Sequence, residues 1–186
     1  MKKTIALLLI LHACNLSIVQ AQKYFTRMGK VDFFSKAPLE TIEAHNEKAT
    51  SVVDLATGKI QFAVLIKAFQ FEKALMQEHF NENYLESDQY PKASFRGQIQ
   101  DWPAFDWTKS GTYPIQVMGT MTLHGVQQEI ELPATFYVQD GKMAAQASFE
   151  LLLADYEIAI PKIVRDNIAK TVRISVAVDY EAFDKP

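Results

Sequence analysis

Apolar and polar residues alternate one by one along most of this chain. In the C-terminal segment Val172, Ile174, Val176, Val178 and Tyr180 alternate with Arg173, Ser175, Ala177 and Asp179. An extended strand places two such sets on opposite faces. The pattern recurs at Ile130–Val138, at Tyr113–Leu123, at Ile60–Ile66, at Phe95–Ile99 and at Met143–Leu151. Two-residue turn signals, His124-Gly125 and Asp140-Gly141, join successive runs, and Ala56-Thr57-Gly58-Lys59 joins an earlier pair. Strands linked this way form an antiparallel meander. With weaker runs beginning near Tyr24 and Thr41, the reading is mainly β with about eight strands, a number that often closes into a barrel and so removes the exposed sheet edges.

Two stretches depart from the rhythm. Glu72 to about Phe80 suits a short helix, and Asn81–Tyr90 reads as a loop that Pro91 ends before the next strand. A further short helix or turn is expected after Pro161. Trp102–Gly111 reads as an exposed loop. No linker, repeat or low-complexity tract interrupts the remainder, which is read as one domain over residues 22–186.

Residues 1–21 are read as a secretory signal: Lys2 and Lys3 precede an apolar run from Thr4 to Leu11, and Val19 and Ala21 suit cleavage after Ala21. Leu11-His12-Ala13-Cys14 also partly resembles a lipobox, and a lipidated Cys14 would associate the protein with a membrane. The expected location is therefore periplasmic or secreted, with a membrane-anchored lipoprotein as the alternative. Cys14 is the only cysteine, so a chain cut after Ala21 has no disulfide, thiol nucleophile or zinc–thiolate site. The whole chain carries −3, and loss of Lys2 and Lys3 makes it two units more negative. No basic run follows residue 3, which argues against nucleic acid as a partner.

The histidines have no catalytic spacing. His12 falls in the signal, His45 in a charged strand, His79 near the helix end and His124 in a hairpin. HExxH, GxSxG, CxxC and phosphate-loop patterns are absent from the sequence, so no cofactor, no metal and no enzyme activity are expected. The inward-facing sets mix large residues (Phe33, Phe62, Phe95, Phe136, Phe149) with small ones (Gly97, Gly119, Ala134, Ala145, Ala147). An eight-stranded barrel either fills with side chains or holds one small ligand, and alternation alone leaves both open.

Three segments settle on one comparison: His79–Phe95 (HFNENYLESDQYPKASF), Gly119–Val126 (GTMTLHGV) and Phe149–Pro161 (FELLLADYEIAIP). In order and spacing they resemble the YceI-like family of exported bacterial polyisoprenoid-binding proteins. That resemblance implies an eight-stranded lipocalin-like barrel capped by a helix. Its apolar tunnel would take an isoprenoid-like or fatty amphiphilic ligand. The strand residues cast as lining are Phe33, Phe62, Val64, Phe95, Ile115 and Val117, with Met121, Phe149 and Ile174. Phe69, Met76, Phe80 and Tyr84 join them from the helical segment. The stretch Asn81–Asp88 is acidic and lacks Arg and Lys where many relatives are basic, so either the ligand is neutral or its head lies elsewhere. A structural or stress-related interaction barrel with a filled core is the alternative, followed by an enzyme using His79 or His124 as a base. Whether the protein forms a homodimer stays open.

Overall fold

A computed structural model describes residues 23–102 and 105–183. Residues 1–21, read from the sequence as a secretory signal, and Cys14 within them lie outside the described residues. Nine extended segments appear in chain order: β1 (Lys23–Lys36), β2 (Thr41–Asp54), β3 (Lys59–Leu65), β4 (Gln70–Phe71), β5 (Lys92–Ile99), β6 (Gly111–Leu123), β7 (Val126–Gln139), β8 (Lys142–Leu152) and β9 (Thr171–Ala182). One α-helix, α1 (Ala74–His79), lies between β4 and β5. The sheet runs β1-β9-β8-β7-β6-β5-β3-β2, and β1 pairs with β2 to close it. Eight antiparallel strands thus form a closed barrel, and the two-residue β4 adds only a short pairing to β2 at Ala44↔Phe71.

Local chemistry sets the turns. His124 and Gly125 have φ of 51° and 76°, and Asp140 and Gly141 have 50° and 76°. Positive φ at both central positions is the hairpin turn whose twist matches that of the strands. Because the strands run up and down in turn, the elements sort to two ends. The β1–β2 turn, the segment from β3 to β5 with α1, the His124-Gly125 turn and residues 153–170 share one end, called the upper end below. The β2–β3 turn, the loop after β5 and the Asp140-Gly141 turn share the lower end.

The helical segment extends further than the sequence reading. After α1 the chain continues as a wider turn over Phe80–Tyr84, with the Leu85 N–H donating to the Phe80 carbonyl at 2.9 Å. Asn81, assigned to a loop, instead donates from Nδ2 to the Gln77 carbonyl at 2.8 Å and holds the turn together. The loop after β5 also differs from its expected exposure. Trp102, Phe105 and Trp107 are half-buried and pack on a core cluster that includes Phe136 and Tyr180. Trp102 and Trp107 stack at 4.7 Å. Burying indole and phenyl surface outweighs leaving this loop in water, and the aromatic plug closes the lower end. Outward positions such as Glu129, Glu131, Arg173 and Asp179 are exposed. A barrel embedded in lipid carries an apolar outer band, so this polarity is the reverse of that arrangement.

Candidate binding cavity

Inside the barrel lies a cavity of about 390 Å³. Its walls are the inward residues of the strands. Phe62, Met121, Leu132, Phe149 and Ile174 line it and are only half-buried, because the area they leave open faces the cavity. Ala134, Ala145 and Ala147 line it too, and their short side chains leave space where a leucine or phenylalanine would fill it. Gly97 and Gly119 act differently. They sit opposite each other in the β5–β6 register. A Cβ on Gly119 would lie 2.2 Å from the Arg96 carbonyl oxygen, and one on Gly97 would lie 2.6 Å from the Phe95 ring. These glycines allow two strands and a ring to approach closely, and neither lines the cavity.

The residues cast as lining from the sequence all line this cavity except Ile115. Ile115 faces inward opposite Ala134 but is 5 % exposed and packs in the lower core cluster beneath the aromatic plug. On the upper side Phe33, Phe69, Phe71 and Phe80 form one aromatic group, with Phe33 stacked on Phe80 at 5.7 Å. The floor is Phe136 stacked on Tyr180 at 6.0 Å. Tyr180 is buried, and its hydroxyl meets Ser51 Oγ at 2.8 Å. Burial pushes the Tyr180 phenol up to about 12, partly opposed by that hydrogen bond. Desolvation also raises Tyr84 above the ordinary tyrosine value. Both phenols therefore stay neutral at physiological pH.

Polar groups gather at the upper end. Ser35, Glu40, His79 and Asn167 all line the cavity there. His79 is exposed, which marks this end as the mouth. Glu40, Asn167 and Ser35 escaped the sequence reading, because the end of β1, the β1–β2 turn and residues 162–170 carry neither clear alternation nor a motif. Only their convergence in space gives them a shared place.

One wall has a weak seam. Gln139 and Lys142 flank a two-residue turn, so they form a hydrogen-bonded pair, and every second pair after it does the same. Tyr137↔Ala144 and Thr135↔Gln146 follow in register. The next such pair would set Pro133 against Ser148, and proline has no N–H to donate. The β7–β8 ladder ends there, at Ala134↔Ala147, although β7 begins at Val126 and β8 continues to Leu152. Further along, Gln128 Nε2 donates to the Asp155 carbonyl at 2.8 Å, so the turn after β8 covers the far part of the seam. Ala134, Gln146, Ala147 and Val176 line both the cavity and a cleft on the outer surface.

Of the two histidines offered as bases, His79 lines the mouth of the cavity and His124 lies outside its lining. His124 Nε2 meets Glu86 Oε2 at 2.8 Å and its Nδ1 meets the Tyr156 carbonyl at 3.1 Å. Tyr90 packs edge-on to the His124 ring at 4.7 Å. The three segments that carry the family resemblance thus meet at one latch on the upper rim, outside the cavity lining. His45 faces outward and pairs with Asp32 at 2.7 Å. Among the described residues no group of three His, Cys, Asp or Glu is placed to hold a metal ion.

The sequence profile of the YceI-like domain matches residues 24–180, the whole barrel. The chain belongs to the YceI-like family. Solved YceI-like structures share the fold at low identity. A polyisoprenoid-binding domain from Saccharophagus degradans, implicated in plant cell wall breakdown, is 15 % identical with a TM-score of 0.75, covering 87 % of this chain and 98 % of its own. Burkholderia cenocepacia BcnA is 17 % identical with a TM-score of 0.68, covering 82 % and 96 %. The Campylobacter jejuni YceI protein is 16 % identical with a TM-score of 0.55, covering 76 % and 85 %. No protein with a curated description matches the sequence.

Proposed function

We propose that this YceI-like barrel binds an isoprenoid-like or other long-chain amphiphile and carries or sequesters it in the bacterial cell envelope, without catalysing a reaction. The observation that carries the reading is the cavity itself: about 390 Å³ enclosed by a closed barrel and lined almost wholly by Phe, Val, Ile, Leu and Ala side chains. Small-molecule sites typically span roughly 300–1,000 Å³ with apolar walls and few polar groups. Each buried methylene of a ligand chain contributes about 0.8 kcal/mol before ordering costs. The Saccharophagus relative described as a polyisoprenoid-binding domain supports the choice of chain. Export follows from the reading of residues 1–21, and mass spectrometry of the mature N-terminus distinguishes cleavage after Ala21 from lipidation of Cys14.

Organic extraction of the purified protein followed by mass spectrometry is expected to release a stoichiometric apolar amphiphile. An emptied protein is expected to take up added isoprenoid. Failure of both would end the proposal. The filled-core alternative is disfavoured by the open space beside Ala134, Ala145 and Ala147. The proposal that His124 serves as a base is disfavoured by its place in the rim latch.

A further inference from the structure

Among the described residues that line the cavity, Glu40 is the one carboxylate. Glu40 sits at the end of the β1–β2 turn, where the Ala37 N–H donates to its carbonyl at 2.9 Å. Its side chain is 26 % exposed and lines the cavity. Two neighbours fix the carboxylate. Lys73, just before α1, places Nζ 3.1 Å from Oε1, and Asn167 Nδ2 donates to Oε2 at 3.4 Å. Asn167 lines the cavity, whereas Lys73 does not and is 65 % exposed, so it approaches from outside. Ser35 is buried, and its Oγ accepts from the Ala169 N–H at 3.0 Å, which leaves its own hydroxyl proton free to donate.

Among the described residues that line the cavity there is no lysine or arginine. Lys162 and Arg165 on the neighbouring segment are exposed and take no part in the lining. A carboxylate offers about four acceptor positions, and Lys73 and Asn167 occupy two of them. Glu40 borders a cavity whose walls include Phe33, Phe71 and Phe80, and apolar walls strengthen charge interactions relative to open water.

We infer that Glu40, positioned by Asn167 and Lys73, receives the head of the ligand, and that this head is a hydrogen-bond donor, a hydroxyl or an ammonium, while phosphate and carboxylate heads are turned away. The inference rests on the proposal that the barrel takes a long apolar chain, and it adds the class of head group. A hydroxyl donates to Glu40 and accepts from Ser35. An ammonium donates to Glu40 and lies against aromatic rings. An anionic head at the same place meets a carboxylate of like charge, and the lining holds no lysine or arginine to pair with it, since Lys73 approaches Glu40 from outside.

The test holds the chain constant and varies the head. Farnesol, farnesylamine and farnesyl monophosphate are titrated against the emptied full-length mature protein by displacement of an apolar fluorophore. The alcohol and the amine are expected to bind at least about tenfold more tightly than the phosphate, the difference between one charge-assisted hydrogen bond and one like-charge contact. Glu40→Gln keeps the shape and the Asn167 contact, and is expected to bring the three affinities within about threefold of one another. The two donor arms separate the sources: a gain for the amine alone that is lost in Glu40→Gln identifies an ammonium head, and equal gains identify a hydroxyl. Phosphate binding as tightly as the alcohol in the native protein, or a preference that survives in Glu40→Gln, overturns the inference. Asn167→Leu provides a second reading, with the donor preference expected to shrink while farnesol still binds. Displacement by none of the three, with the circular dichroism of the barrel intact, removes the carrier proposal and this inference with it.

Discussion

At the scale of single residues, the inner surface is governed by a few substitutable choices. Ala147 ends the β7–β8 ladder opposite Ala134 and lines the cavity. Gly119 permits a close strand approach that no Cβ would allow. Both are small inward residues in the same alternating pattern, and sequence alone does not separate the one that makes space from the one that removes it. Tyr180 carries a measurable consequence. Its phenol is neutral in the fold up to about 12, against about 10 for an ordinary tyrosine. The unfolded chain therefore ionises first as pH rises. The stabilisation is fully present below about pH 10 and is lost as pH rises from there towards 12, amounting to about 3 kcal/mol for a shift of this size. Denaturant unfolding followed from pH 9 upward is expected to show this fall in the native protein. In Tyr180→Phe the part of the fall due to this residue disappears, while Ser51 keeps its hydrogen bond to the Gln61 carbonyl at 3.0 Å.

At the scale of elements, the strands with clean alternation were legible throughout, and the bulged ones showed only as weaker runs beginning near Tyr24 and Thr41, without their inward faces. The β1–β2 register shifts between Thr26 and Gly29 and again between Gly29 and Val31. Inward positions therefore change parity along both strands, from Thr26 to Gly29 on β1 and from Asn46 to Ala49 on β2. A period-two reading fails at such a shift because one extra residue moves every later side chain to the other face. Asn46 marks the place. It is 1 % exposed, donates from Nδ2 to the Leu65 carbonyl at 3.0 Å and accepts from the Lys48 N–H at 2.8 Å. The β7–β8 seam has an equally local cause in Pro133. Replacing it with threonine supplies the missing donor opposite Ser148. Pro133→Thr is expected to extend the ladder, to slow amide hydrogen exchange in residues 129–133 and 148–150, and to raise stability by about 1 kcal/mol. Unchanged exchange across those residues would show that the seam has another cause.

At the scale of the whole molecule, closure and emptiness are separate properties. Closing eight strands pairs the sheet edges, the β7–β8 seam apart, but does not determine whether the interior fills. Here the aromatic plug from the loop after β5 seals the lower end, the Phe33–Phe80 group narrows the upper part, and the alanines of β7 and β8 leave the middle open. Filling that middle without touching the mouth separates packing from binding. Ala147→Phe is expected to keep the barrel's circular dichroism and thermal unfolding close to native. It should weaken isoprenoid uptake by about tenfold, since displacing about two methylenes of ligand costs about 1.6 kcal/mol. Undiminished uptake would place the chain elsewhere. By itself the sequence determined the strands, their alternating faces, the hairpin turns and the family, because these depend on residues close together in the chain. Only the tertiary structure decided that the interior holds a cavity, that Ile115 belongs to the plug's core and that Glu40, Asn167 and Ser35 share its mouth. Those outcomes depend on which side chains arrive at one point from strands far apart in sequence, and a one-dimensional pattern carries no measure of the space left between them.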